Sequence, residues 1–218
     1  MTRINQLQLG VRVLAALFIG SASIAAATAA DTLPVEWTGM DIGGALPPGS
    51  ASVKDGAFNV YGHGGGLTPA GDTFHFVFQA VSKDCSFVAR VSKVNAAGDG
   101  AFAGIMIRDA LATTSNFDAV IAAPGKGAEL AYRNITAPNL ATLNGPATSG
   151  AIWMKLVRKG EIVCGYTAPD VNNAPGAWQQ IGGDEPIGSG MIFVGLCASA
   201  KRPGSCTATI DNVAASSL

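Results

Sequence analysis

"AIWMKLVRKGEIVCGYTA", residues 151–168, decides the fold class. Two short runs of mixed apolar and charged residues meet at Lys159-Gly160, where glycine supplies the positive φ that a tight turn needs. In the first run Ile152, Met154 and Leu156 recur at every second position, so one face of a strand turns to a core. The spacing predicts two antiparallel strands. "PDVNNAPG" at 169–176 then reads as a loop by composition. "AWQQIG" at 177–182 reads as a short strand whose Trp178 closes over the core edge.

The same grammar extends outward. "DTFHFVFQAV" at 72–81 alternates, with Phe74, Phe76, Phe78 and Ala80 on one side and Thr73, His75, Val77 and Gln79 on the other. That pattern predicts a half-buried strand. "SFVARVSKV" at 86–94 puts Phe87, Ala89 and Val91 on one face and Val88, Arg90 and Ser92 on the other. "FAGIMIRDA" and "FDAVIAA" are apolar on both faces, as central strands are, and "AELAYRN" is a further short strand. "MIFVGLCASA" and "CTATIDNV" are expected to pair as a final hairpin. No helix-length amphipathic pattern follows residue 30, and 28 glycines and 11 prolines punctuate the runs. About a dozen antiparallel strands at this spacing predict an all-β jelly-roll sandwich.

The first 30 residues read differently. Arg3 and Arg12 precede "VLAALFIGSASIAAATAA", and Ala27-Thr28-Ala29 fits the small-x-small rule for signal cleavage. An uncleaved anchor is the alternative reading, but glycine and serine interrupt the apolar run. Residues 1–30 are therefore expected to be a secretory signal peptide, and 31–218 a single domain, periplasmic or secreted. Loss of Arg3 and Arg12 takes the formal net charge from −1 to −3. Such a chain carries no basic footprint for nucleic acid and no polybasic patch for anionic lipid.

Four cysteines, Cys85, Cys164, Cys197 and Cys206, fall in the mature part, and export would pair them in one of three connectivities. The turn-rich "ASAKRPGS" between Cys197 and Cys206 favours a local staple, leaving Cys85 with Cys164. There is no C-x-x-C, and His63 and His75 are not spaced with the cysteines as a zinc module.

Taken in order, "WTGMDIGG", "DTFHFVFQ", "DCSFVARVSKV", "FAGIMIRDA", "AIWMKLVRKGEIVCGYTAPD…AWQQIG", "FVGLCASA" and "ATIDNV" resemble secreted bacterial domains of the concanavalin A-like (lectin/glucanase, LamG-like) superfamily. The DUF1349-type jelly-roll module is the nearest likeness, over residues 35–214. The resemblance implies a concanavalin A-like jelly roll that binds carbohydrate. Fold does not fix function. Related domains read S-x-D-G-x-x-W before the tryptophan. Here "TAPDVNNAPGAW" keeps Asp170 and replaces the Asp-Gly turn, so a ligand contact borne by that turn is not carried over. The resemblance also implies a structural calcium near the chain ends, for which Asp41, Asp211 and Asn212 are the candidate ligands. No other cofactor is expected.

Glycoside hydrolysis uses two carboxyl groups about one bond. The glucanases of this superfamily carry them in a Glu-x-Asp-x-Glu type run, which is missing here, and Asp184-Glu185 are adjacent in an expected loop. "GHGGG" at 62–66 is like an esterase oxyanion loop but lacks the G-x-S-x-G elbow, and reads as a loop between strands. If consecutive strands pair, His75, Arg90 and Arg108 share the face opposite the phenylalanines, extended by Tyr132 or Arg133 and by Trp153. Aromatic rings and Arg or His donors on a concave face would bind a sugar. The alternative is a solvated face whose arginines pair with Asp109, Asp84 or Asp118. Trp37 and Trp178 read as packing residues.

The expectation is a non-catalytic carbohydrate-binding domain working through that concave face, in which Arg108→Ala abolishes binding while the melting temperature stays within a few degrees. A structural or protein-interaction domain of the envelope is the alternative.

Overall fold

The computed structural model describes residues 32–97, 100–134, 139–147, 149–200 and 203–218, without the side chains of 184 and 185. The expected signal peptide lies outside them. Asp31–Leu218 forms one compact unit. It is all-β; the described residues form fifteen strands, where the sequence predicts about a dozen. In chain order these are β1 Thr38–Ile42, β2 Ser50–Lys54, β3 Ala57–Gly62, β4 Phe74–Val81 and β5 Cys85–Ala97. Next come β6 Phe102–Arg108, β7 Phe117–Ala123, β8 Gly127–Arg133, β9 Ala141–Asn144 and β10 Ile152–Lys159. The last are β11 Ile162–Val171, β12 Ala174–Pro175, β13 Gln179–Pro186, β14 Ile192–Ser199 and β15 Ser205–Ser217.

They form a jelly-roll sandwich of two antiparallel sheets. One sheet runs β1-β4-β14-β6-β7-β8-β9, and the other β12-β11-β10-β5-β15-β3-β2, with β13 also paired to β11. The hairpin at Gly160 forms as expected: Lys159 pairs with Ile162, and Gly160 has φ 61°. Its amide donates to Asp84 Oδ1 at 2.8 Å. "PDVNNAPG" is more ordered than its composition predicts. Val171 pairs with Ala174 around Asn172 and Asn173, both at positive φ (53° and 64°). That is the two-residue hairpin geometry that asparagine tolerates and most residues do not.

Two expectations fail on topology. β14 and β15 do not form a hairpin, because they lie in different sheets. β4 and β5 do not pair either: β4 lies between β1 and β14, and β5 between β10 and β15. Asp184-Glu185 fall in β13 rather than in a loop.

There are two cores. Phe87, Ala89, Val91, Ile105, Leu130, Met154, Leu156 and Leu196 pack between the sheets, where Ile152, Met154 and Leu156 were expected. Trp37 packs there too, its ring 4.9 Å from that of Phe58. Ile42, Phe74, Phe76, Phe78, Phe102, Met106, Phe117 and Ile121 form a second cluster. Alternation along each strand places it on the outer face of the seven-stranded sheet. Leu67, Leu111 and Leu140, from connecting segments, cover it. β4 is thus buried on both faces at Phe74–Phe78, not half-buried.

Candidate ligand-binding site

The outer face of the seven-stranded sheet is where a concave ligand surface was expected, and its centre is closed. The connection 63–73 and the connection 109–116 fold over the phenylalanines and are tied together by one ionic network. Arg133, at the end of β8, donates from Nη2 to Asp72 Oδ1 (3.0 Å) and from Nη1 to Asp72 Oδ2 (3.1 Å). It also donates to the Thr68 and Ser115 carbonyls at 2.7 and 3.1 Å. Arg108, at the end of β6, donates to the Ala110 and Ala112 carbonyls and reaches Asp72 at 3.5 Å. Both guanidinium groups lie over rings, Arg108 over Phe74 at 5.4 Å and Arg133 over Phe117 at 5.1 Å. Arg108 and Asp72 are each 0% exposed. Burial pushes the Arg108 guanidinium below its usual range, and the Asp72 carboxylate opposes that shift.

Toward the β8–β9 edge the same face opens into a cleft of about 180 Å³. Leu67, Phe102, Ile121, Ala131 and Leu140 supply its apolar lining, and Glu129 and Thr142 its polar side chains. Register explains the convergence. Glu129 pairs with Ile121 and Asn144, and Ala131 with Thr142, so alternate residues of three neighbouring strands project to one side. Gly65 and Gly66 form another wall, so the "GHGGG" loop is a structural border of the cleft. Gly66 has φ 82° and bridges to Thr73, which holds the loop close to the sheet. A carboxylate and a hydroxyl over an apolar floor can orient the hydroxyl or amine of a small ligand.

A larger opening of about 430 Å³ lies beside β5, between Val91–Asn95, the Ala122–Gly127 turn and Ser149–Ile152. Its described lining has neither an aromatic ring nor a carboxylate, so it offers less to a sugar than the smaller cleft.

The structure scatters the predicted site residues. His75 is buried on the face opposite Phe74 and Phe76, with Nδ1 2.8 Å from Asp41 Oδ1. Arg108 lies on the phenylalanine face, not opposite it. Tyr132 turns inward against the inter-sheet core. Only Arg90 and Trp153 come together, as cross-strand partners on the outer face of the other sheet. There Trp153 is 6% exposed and donates from Nε1 to Asp170 Oδ1 at 2.8 Å. Arg90 contacts Asp170 at 3.1 Å and Asp211 at 3.5 Å. The arginines are therefore held in ion pairs, as the alternative reading has it: Arg108 with Asp72, and Arg90 with Asp170 and Asp211. The reason is topology: parity was carried across strands that are not neighbours. Trp178 sits on that outer face, not at the core edge, with the Lys155 ammonium 4.2 Å from its ring centroid and 4.7 Å from that of Tyr166.

The calcium candidates are not brought together. Asp41 is bonded to His75 and accepts the Gly49 amide. Asp211 and Asn212 lie at a bulge in β15, in the other sheet, and bond to each other. The expected disulfides are not formed. β10 separates the strands of Cys85 and Cys164, which puts them about 9–10 Å apart across the sheet, against the 7 Å limit for a bridge. Cys197 projects into the outer cluster and Cys206 into the inter-sheet core.

No family model and no curated protein matches the chain. Solved structures do. The chain is similar to a functionally unknown protein from Saccharomyces cerevisiae (TM-score 0.61, 13% identity, 84% of this chain and 97% of that one). It is also similar to the Bacteroides ovatus Xyloglucan PUL GH43B (TM-score 0.57, 14% identity, 86% and 38%). A third likeness is to a xylan beta-1,4-xylosidase from Bacillus halodurans (TM-score 0.51, 15% identity, 74% and 34%). The chain spans just over a third of the length of the last two. At these identities the likeness is one of fold.

Glu129 and Thr142 were missed by the sequence reading. The available signal was a single carboxylate in "AELAYRN", an otherwise apolar strand.

Proposed function

We propose that this chain is an exported, non-catalytic carbohydrate-binding domain that takes one sugar unit into the cleft at Glu129 and Thr142. The cleft itself carries the reading: an acceptor carboxylate and a hydroxyl over an apolar floor that includes Phe102, beside the buried phenylalanine cluster. Its size suits a single ring rather than a long chain. Two of the similar solved chains have xylan or xyloglucan in their names, which agrees with a glycan ligand. One carboxyl group among the described lining residues supports binding over glycoside hydrolysis, which uses two. Export rests on the signal pattern of residues 1–30, periplasm or exterior alike; the thiol state of the cysteines lends it nothing.

The test is a glycan-array screen of the purified protein and of Glu129→Gln, with and without calcium. Selective binding, weakened in the variant at an unchanged melting temperature, is the expected result. Binding that the variant leaves intact places the ligand elsewhere. Silence across plant, bacterial and host glycans overturns the reading. A structural or protein-interaction role in the envelope would then follow from β9, which is the last strand of its sheet among the described residues and leaves Leu143 42% exposed.

A further inference from the structure

The carbohydrate reading leaves the class of sugar open, and the charge of the cleft narrows it. Glu129 is the one ionisable side chain among its described lining residues; the rest are glycine, alanine, leucine, isoleucine, phenylalanine and threonine. The two arginines on the same face are unavailable, because Arg108 and Arg133 are sealed against Asp72.

An acidic sugar would bring its carboxylate or sulfate beside Glu129 with no cation among the described lining residues to offset the repulsion, and would be rejected. A neutral sugar would donate hydroxyl protons to the carboxylate, a hydrogen bond charged on one side only. A protonated amine would form a bond charged on both sides, the stronger kind.

From this we infer that the cleft selects an amino sugar whose amine is free and protonated. The inference rests on the carbohydrate reading and sharpens it.

Calorimetric titration tests it with four oligosaccharides of equal length: glucosamine, N-acetylglucosamine, glucose and glucuronate oligomers. The glucosamine oligomer is expected to bind about tenfold more tightly than its acetylated counterpart, about 1.4 kcal/mol. That margin shrinks as salt rises from 50 mM toward 1 M, and as pH rises through the amine's pKa. The glucuronate oligomer does not bind. Glu129→Gln removes the margin while retaining weak binding of the neutral oligomers. Lys93→Ala, in the larger opening, changes nothing.

Equal affinity for the free and acetylated amines, a salt-independent margin, preference for glucuronate, or failure of all four to bind overturns the inference. The carbohydrate reading is decided separately, by the glycan array. Because the salt and pH series are run on the unaltered protein, the inference stays testable even if Glu129→Gln does not fold.

Discussion

Arg133 and Asp72 meet through two parallel hydrogen bonds of 3.0 and 3.1 Å, inside the layer that closes the outer face of the seven-stranded sheet. The pair joins β8 to the connection before β4, 61 residues away in sequence. Arg108 shares the same carboxylate. The charges expected to meet a ligand instead fasten two connections over the second core.

Removing that carboxylate leaves two buried guanidinium groups without their counterion. Asp72→Ala is expected to cost about 3–5 kcal/mol, the usual penalty for breaking a buried pair from one side. In a domain of this size that lowers the melting temperature by about 6–20 °C. Arg108→Ala is expected to destabilise in the same way, contrary to the sequence expectation. Urea denaturation of both variants measures this; an Asp72→Ala loss below 1 kcal/mol would remove the network as a structural clamp.

On the other sheet, Asp170 accepts from the Trp153 indole and contacts Arg90. Asp170→Ala strands a buried donor and is expected to cost about 1–3 kcal/mol, and Trp153→Phe about 1 kcal/mol. A double-mutant cycle should show the two losses to be strongly non-additive. Glycan binding, read at the β8–β9 cleft, should not move.

Two glycines separate the effect of space from that of conformation. A Cβ at Gly104, in β6, would sit 2.1 Å from the Val120 carbonyl oxygen. That oxygen belongs to a strand paired with β6, so it cannot retreat without breaking the ladder. Gly104→Ala is expected to cost about 3 kcal/mol or more, at the upper end for overpacking. Gly160 has φ 61° with open space around it, so Gly160→Ala is expected to cost only about 1 kcal/mol. Equal losses at the two positions would contradict the β6–β7 packing.

The cysteines carry a pH prediction. Burial raises the Cys206 thiol from its ordinary 9.0 to about 11, and raises Cys85 and Cys197 as well. A raised thiol pKa means that the unfolded chain releases its proton first. The thiols' contribution to stability is therefore fully present below pH 9 and is lost as pH rises toward 11, by about 3 kcal/mol for Cys206 alone. Denaturation midpoints at pH 8 and 10.5 would show it. Alkylation of the folded protein at pH 8 should label the half-buried Cys164 first and leave the other three protected. A native Cys85–Cys164 or Cys197–Cys206 bridge found by non-reducing mass mapping would refute the separation of these side chains.

What the sequence by itself determined is local. Alternation in "AIWMKLV" and "SFVARV" marks strands and their inward residues correctly, because side chains of one strand take opposite faces whatever lies beside it. Glycine at 160 marks a turn because few other residues adopt positive φ at low cost. The lack of a helix-length amphipathic pattern after residue 30, with strand-like runs throughout, marks an all-β fold. Tertiary structure alone decided which strands are neighbours. β4 pairs with β14, more than a hundred residues later, and that pairing rests on long-range packing that leaves no mark on the local pattern. Once neighbours are misassigned, parity points His75, Arg90 and Arg108 to one face when they belong to three. Burial of both faces of β4 is likewise invisible in its alternation, since the loops that cover Phe74, Phe76 and Phe78 come from 63–73 and 109–116. Glu129 stands in the sequence as one acid in an apolar strand; that it lines a cleft is decided by the connection at Gly65–Leu67, which the fold brings beside β8 and β9.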